Sequence, residues 1–229
     1  MIKFDKYNRI ARLYPTIIVL IPFLLFTINC NIKGLEQFFN NILKVKIIGN
    51  ITISIVLLFL LSQINRFLGK YLFEKKTFNN ELDFPTTKFL LYTDSELSDS
   101  YKEKIRQQIK NDFDIILPNR ESEKNNIDNA KKEIAEAIGL IRQKVKDGRL
   151  LLNHNIEYGF VRNLVGGSII GFAMSLFDIF YFYDKSNVLF YISIALTILF
   201  LSILLLRKIL LHNLGNQYAK RLFQEYIEL

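Results

Sequence analysis

The sequence has a single cysteine, Cys30, which excludes an intrachain disulfide and any metal centre built on clustered thiolates. Its two histidines, His154 and His212, fall in separate segments and nominate no catalytic pair. There is no glycine-rich phosphate loop, no zinc-protease helix and no nucleophile elbow. We therefore expect neither an enzyme nor a bound cofactor. Internal repeats are also missing, and the two apolar hairpins described below do not resemble each other, which argues against an inverted-repeat transporter.

What is abundant is apolar surface. Half of the 229 residues are hydrophobic, 20 are phenylalanine, and the mean hydropathy is positive. Four windows carry the excess: Leu13–Ile28, Ile47–Ile64, Leu164–Tyr183 and Val188–Leu206. The last two are long enough as helices to cross roughly 30 Å of hydrocarbon, and the first two become so with their flanking residues. A soluble fold of this size could not cover four such segments, so all four are expected to span a membrane. Basic residues precede the first window, as in a secretory signal, but a small-residue cleavage site is missing. Asn29 also stands where a lipoprotein signal needs a small residue before its cysteine, so the window is read as an anchor.

The net charge of +8 is unevenly spread. Glu74–Tyr158 holds 15 basic and 16 acidic residues and is nearly neutral. The excess sits beside the spans, at Lys3, Lys6, Arg9 and Arg12, at Arg66, Lys70, Lys75 and Lys76, at Arg162, and at Arg207, Lys208, Lys220 and Arg221. By the positive-inside rule both termini and the central segment face the cytoplasm, with Asn31–Lys46 and Tyr183–Asn187 outside. The expected fold is a mainly α membrane protein with four spans in two hairpins and a cytoplasmic α(+β) insert. Residues 1–73 form the first hairpin with an outer interfacial helix, 74–160 the insert, 161–206 the second hairpin, and 207–229 a cytoplasmic helical tail. The outer helix is read from Leu35, Phe38, Phe39, Ile42 and Leu43, which repeat at helical spacing opposite a polar face.

Within the insert, Pro85 blocks a helix and Thr87–Tyr92 reads as a strand or extended arm. Ser98 caps a helix over about Asp99–Asp112. "FDIILP" is a second extended stretch, and "NRESEKNN" a solvated loop. A longer helix over Ile127–Lys146 carries Ile127, Ile134 and Ile141 seven residues apart, a seam that packs either on the insert itself or on a neighbouring subunit. The tail places Leu211, Leu214, Tyr218, Leu222 and Tyr226 on one stripe, with no indication of what it meets.

Polar groups inside the apolar windows are the first functional candidates. Asp178 in the third window either faces a pore, where a ring of carboxylates would favour cations, or reaches the outer headgroups. Asn50 and Ser54, one turn apart, either line a wet path or hydrogen-bond between helices. Gly167, Gly171 and Ser175 form a ladder of small residues that lets another helix approach closely. The stretch "NHNIEYGFVRNLVGG" is polar and aromatic where the chain is about to enter lipid. It is either a plain elbow or a joint through which a bound ligand moves the span. Asn153, His154 and Asn155 suit base edges or sugar hydroxyls, Arg162 suits phosphate, and Tyr158 and Asn163 complete the set. Thr86, Thr87 and Asp94, from the other polar motif of the insert, join them as ligand candidates.

"DFPTT…LLYTDSELS" followed by "NHNIEYGFVRNLVGG" resembles a pattern in small bacterial four-transmembrane antiphage effectors paired with nucleotidyltransferase-type sensors. Hailong-type channels and the membrane effectors of cyclic-oligonucleotide systems are the classes concerned. The resemblance covers about Asp83–Gly167 and the order of two spans, insert and two spans. It implies a homo-oligomer in the bacterial inner membrane, with a tetramer favoured. It also implies a pore gated by a nucleotide or short oligonucleotide made by a partner enzyme, permeabilising or depolarising the cell in abortive antiviral defence. The near-neutral insert departs from the basic surface that a polyanion ligand would want. The second expectation is a non-conducting membrane scaffold that recruits a cytosolic partner through the Ile127–Lys146 seam or the tail.

Overall fold

The computed structural model describes residues 5–29, 48–146 and 148–229. The outer helix expected at Leu35–Leu43 lies outside the described residues. Among the described residues the chain is mostly helical and contains no strand. Two compact units divide it. One, the span unit, comprises Met1–Leu72 and Phe160–Arg207; the other, the insert unit, comprises Phe73–Gly159 and Lys208–Leu229.

In the span unit α1 covers Tyr14–Asn29 and follows a π-helical turn at Asn8–Leu13. Helix α2 covers Ile48–Leu68. Two longer helices, α7 (Arg149–Phe182) and α8 (Asn187–Ile227), contribute their apolar portions. Four helices, Asn8–Asn29, Ile55–Thr77, Leu151–Phe182 and Asn187–Ile227, are long and apolar enough to cross a membrane, one for each apolar window of the sequence. Large side chains such as Leu57, Phe180, Tyr191 and Leu205 are left exposed, which water would penalise and hydrocarbon does not. Helix α7 runs through the Asn153–Gly167 stretch without a break.

The insert unit is built from α3 (Pro85–Lys88), α4 (Asp99–Phe113), α5 (Arg120–Asn125), α6 (Ile127–Lys144) and the final turns of α8. Three local expectations are corrected. Pro85 starts a helix instead of blocking one, since its missing N–H costs nothing in a first turn, while Phe84 before it is extended. Thr87–Tyr92 is a helical turn followed by tight turns. Phe89, Leu90 and Leu91 are all buried there. "NRESEKNN" is not simply a solvated loop: Asn119 caps α5 by accepting from Ser122 N at 2.8 Å, and Glu123 is buried. "FDIILP" is irregular but unpaired, with Asp114 in the left-handed region closing α4 and Ile116 left exposed. The helix capped by Ser98 is present, its Oγ accepting from Tyr101 N at 3.3 Å.

The core of this unit joins α4, α6 and the tail. Ile134 and Ile141 of the expected seam are fully buried with Ile105, Ile109, Leu222, Phe223 and Tyr226, whereas Ile127 is exposed. The seam therefore packs inside its own unit, and the tail stripe is what covers it. Asp112 Oδ2 ties the three helices by accepting from Lys144 Nζ at 2.7 Å and from Tyr226 Oη at 2.8 Å. Phe113 stacks on Tyr226 beside it.

Three buried charges brace the turns at residues 89–97. Lys102 Nζ donates to Leu91 O at 2.7 Å and to Asp94 O. Arg106 donates to Leu90 O at 2.6 Å and Pro118 O at 2.8 Å, with its guanidinium 4.2 Å from the Tyr92 ring centroid. Glu123 accepts from Tyr92 N at 2.9 Å and Thr93 N at 3.1 Å. Burial pushes the Arg106 pKa down from its ordinary value, with partial relief from Tyr92 and the carboxylates of Glu103 and Glu123.

Two outcomes follow for the full chain in detergent. Arg106→Lys should lower stability by about 1–3 kcal/mol, because one ammonium cannot reproduce a planar fork that serves two carbonyls; thermal unfolding measures it, and an unchanged midpoint would refute the bracing role. The hydrogen bond from Lys144 holds the Asp112 carboxyl below its usual range, so this carboxylate stabilises the fold above that range and ceases to do so as pH falls through its depressed value. Wild type should thus exceed Asp112→Asn in stability at neutral pH, and the two should converge in acid.

Candidate functional site

The ligand candidates of the insert unit do not converge on one cavity. Thr86 and Thr87 are buried, Thr87 Oγ1 donating to Glu81 O at 3.0 Å and Arg142 Nη2 donating to Thr86 Oγ1 at 3.4 Å. Asp94 accepts from Glu96 N through Oδ1 at 2.9 Å, and its carbonyl is held by Lys102. Asn153 and Asn155 are exposed on α7, and His154 Nδ1 lies 3.6 Å from Glu157. Tyr158 is buried, with Oη donating to Glu74 Oε1 at 3.0 Å and its ring edge-on to Phe84. Thr86, Thr87 and Asp94 thus sit in helical and loop turns, and Tyr158 in a ring cluster. A polar depression of about 520 Å³ does exist in this unit, lined by Asn119, Ser122, Asn125, Asn126, Asn129 and Glu133 among others, and none of the nominated residues lines it.

In the span unit the polar candidates are engaged between helices. Asn163 is fully buried and donates through Nδ2 to Ala11 O at 2.6 Å. Asn65, also fully buried, donates to Thr16 Oγ1 at 3.3 Å. The pair joins the π-helical turn at Asn8–Leu13 to α7 and α1 to α2. Neither Thr16 nor Asn65 was singled out by the sequence, although an amide at the end of an apolar run is a usable signal. Arg162 Nε approaches Asn163 Oδ1 at 3.5 Å. Asn50 and Ser54 fall on α2, and their side chains lie outside what is described.

The small residues of α7 do permit close approach. A methyl at Gly166 would collide with the backbone of Asn65 and Gly69. At Gly167 it would lie 2.6 Å from Val19 Cγ2, and at Gly171 2.7 Å from the Phe200 ring. One turn further, Thr197 Oγ1 of α8 donates to Ser175 Oγ at 3.0 Å. Beyond that turn Asp178 is fully buried, and neither of its carboxylate oxygens has a partner among the described residues. It is buried within its own chain.

Among the described residues no three His, Cys, Asp or Glu side chains come together to hold a metal. What the span unit offers is a set of oxygen and amide groups held out of lipid. Gly166→Ala should destabilise the detergent-solubilised chain by about 1–3 kcal/mol, more than Gly171→Ala, because the backbone of α2 cannot yield as the Phe200 ring can. Equal thermal midpoints for the two variants would contradict this packing. No family model matches the chain, and neither the curated proteins nor the solved structures contain a match to it.

Proposed function

We propose that copies of this chain assemble into a gated pore across a bacterial inner membrane, with the insert unit receiving the ligand that sets the gate. The observation that carries this reading is Asp178, a carboxylate with no partner among the described residues, inside a helix long and apolar enough to cross a membrane. Such a group is costly in lipid, and retaining it is characteristic of ion pathways. Its enclosure by its own chain fits a shut resting state, from which rotation of α7 would bring the carboxylate to a shared axis. Four copies would supply enough helices to enclose a hole. The resemblance to antiphage membrane effectors supports the same reading and points to a nucleotide or short oligonucleotide as the ligand. The exposed amides of the polar depression are suited to base edges.

The scaffold alternative is disfavoured by the burial of Ile134, Ile141, Leu222 and Tyr226, which removes the seam and the tail stripe as docking faces. The spread of basic residues favours a cytoplasmic insert and cytoplasmic termini.

The test is current across a planar bilayer containing the purified chain, with and without short oligonucleotides and cyclic dinucleotides. Discrete conductance steps whose cation preference falls in Asp178→Asn are expected. A silent bilayer under every ligand, with protein demonstrably inserted, would overturn the proposal.

A further inference from the structure

The hairpin of α7 and α8 has a register fixed by two contacts. Gly171 meets Phe200, and Ser175 Oγ accepts from Thr197 Oγ1 at 3.0 Å. One turn nearer the tip, that register sets Asp178 opposite Ser193, and both are fully buried. Ser175 and Thr197 lie one turn below them, so a carboxylate and three hydroxyls occupy two adjacent levels of the hairpin interior.

The protons of those hydroxyls are committed elsewhere. Ser193 Oγ donates to Leu189 O at 2.8 Å, Thr197 Oγ1 has Ser193 O at 2.8 Å as well as Ser175 Oγ, and Ser175 Oγ donates to Phe172 O at 3.1 Å. Among the described residues none donates to Asp178, whose two oxygens are buried without a partner. Lys185 near the hairpin tip does not serve it, because its ammonium lies 3.3 Å from the Tyr181 ring centroid. Among the described residues no donor therefore reaches the carboxylate. An ionised carboxylate so placed is strongly disfavoured unless a positive charge joins it.

We propose that Asp178, Ser175, Ser193 and Thr197 form a binding site for a small alkali-metal cation. Hard oxygen ligands suit such an ion, and each hydroxyl keeps a lone pair for it. A single carboxylate balances a single positive charge, which selects a monovalent over a divalent ion in a buried setting. A proton on Asp178 would neutralise the charge but leave the hydroxyl lone pairs unused and the second carboxylate oxygen bare. The site belongs to one hairpin of one chain and stands whether or not a pore forms.

The experiment is thermal unfolding of the full chain in detergent, in sodium, potassium or N-methylglucamine chloride at equal ionic strength and fixed pH. A midpoint that rises saturably with sodium or potassium over N-methylglucamine is expected, as for any ligand that binds only the folded state. Asp178→Asn should abolish that cation dependence, while in N-methylglucamine it should be at least as stable as wild type, because the buried charge is gone. Ser193→Ala, which keeps the carboxylate, should shift the saturation to higher cation concentration. Equal midpoints in all three salts, or the same cation dependence in Asp178→Asn, would overturn the site. So would a midpoint that responds to pH but not to the cation, which would assign Asp178 a proton.

Discussion

Hydrocarbon accepts and donates no hydrogen bonds, and the span unit is arranged around that fact. Its backbone is satisfied within helices, and its buried amides are satisfied across them: Asn163 by the carbonyl of Ala11, Asn65 by Thr16. Its glycines stand where α2 and α8 press closest against α7, at Asn65, Gly69 and Phe200. Close approach and polar satisfaction are the same device here, since an amide can bridge two helices only when nothing bulky holds them apart. Asp178 is the exception, and an exception in lipid is informative because the medium offers no cheap way to keep it.

The insert unit solves a different problem. Its sequence is polar and nearly neutral, and its core is small. Lys102, Arg106 and Glu123 spend full charges on main-chain groups of the turns at residues 89–97 and of Pro118. That is an expensive way to hold a loop unless the loop must keep one shape. The consequence is a set of fixed turns lying against α4 and α5, with a polar depression between α5 and α6 on the same unit.

The sequence disclosed the spans because apolar runs of that length have few alternatives. It disclosed α4 and α6 through caps and periodicity. It misled at Thr87–Tyr92 because a short apolar run has no period of its own; burial on all sides and strand alternation look alike until neighbours are known. The buried charges were hidden for the opposite reason, since Lys102, Arg106 and Glu123 sit among many exposed charges and nothing local marks them. The nominated cluster Asn153–Asn155 was conspicuous by composition, yet exposed on an ordinary helical face. Asp178 was legible as an anomaly, while its hydroxyl neighbours on α8 needed the hairpin register. The tail stripe was legible as a stripe, but its partner lay more than a hundred positions earlier in the chain.

That separation has a bearing on biosynthesis. Tyr226 closes the core against Asp112 and Gln108, so the insert cannot cover its apolar faces until both later spans have left the ribosome. At roughly 5–20 residues per second this leaves Ile105, Ile109, Ile134 and Ile141 uncovered for several seconds or longer. The nascent insert carries those apolar faces uncovered during that interval, and a chain cut short before the tail would keep them so.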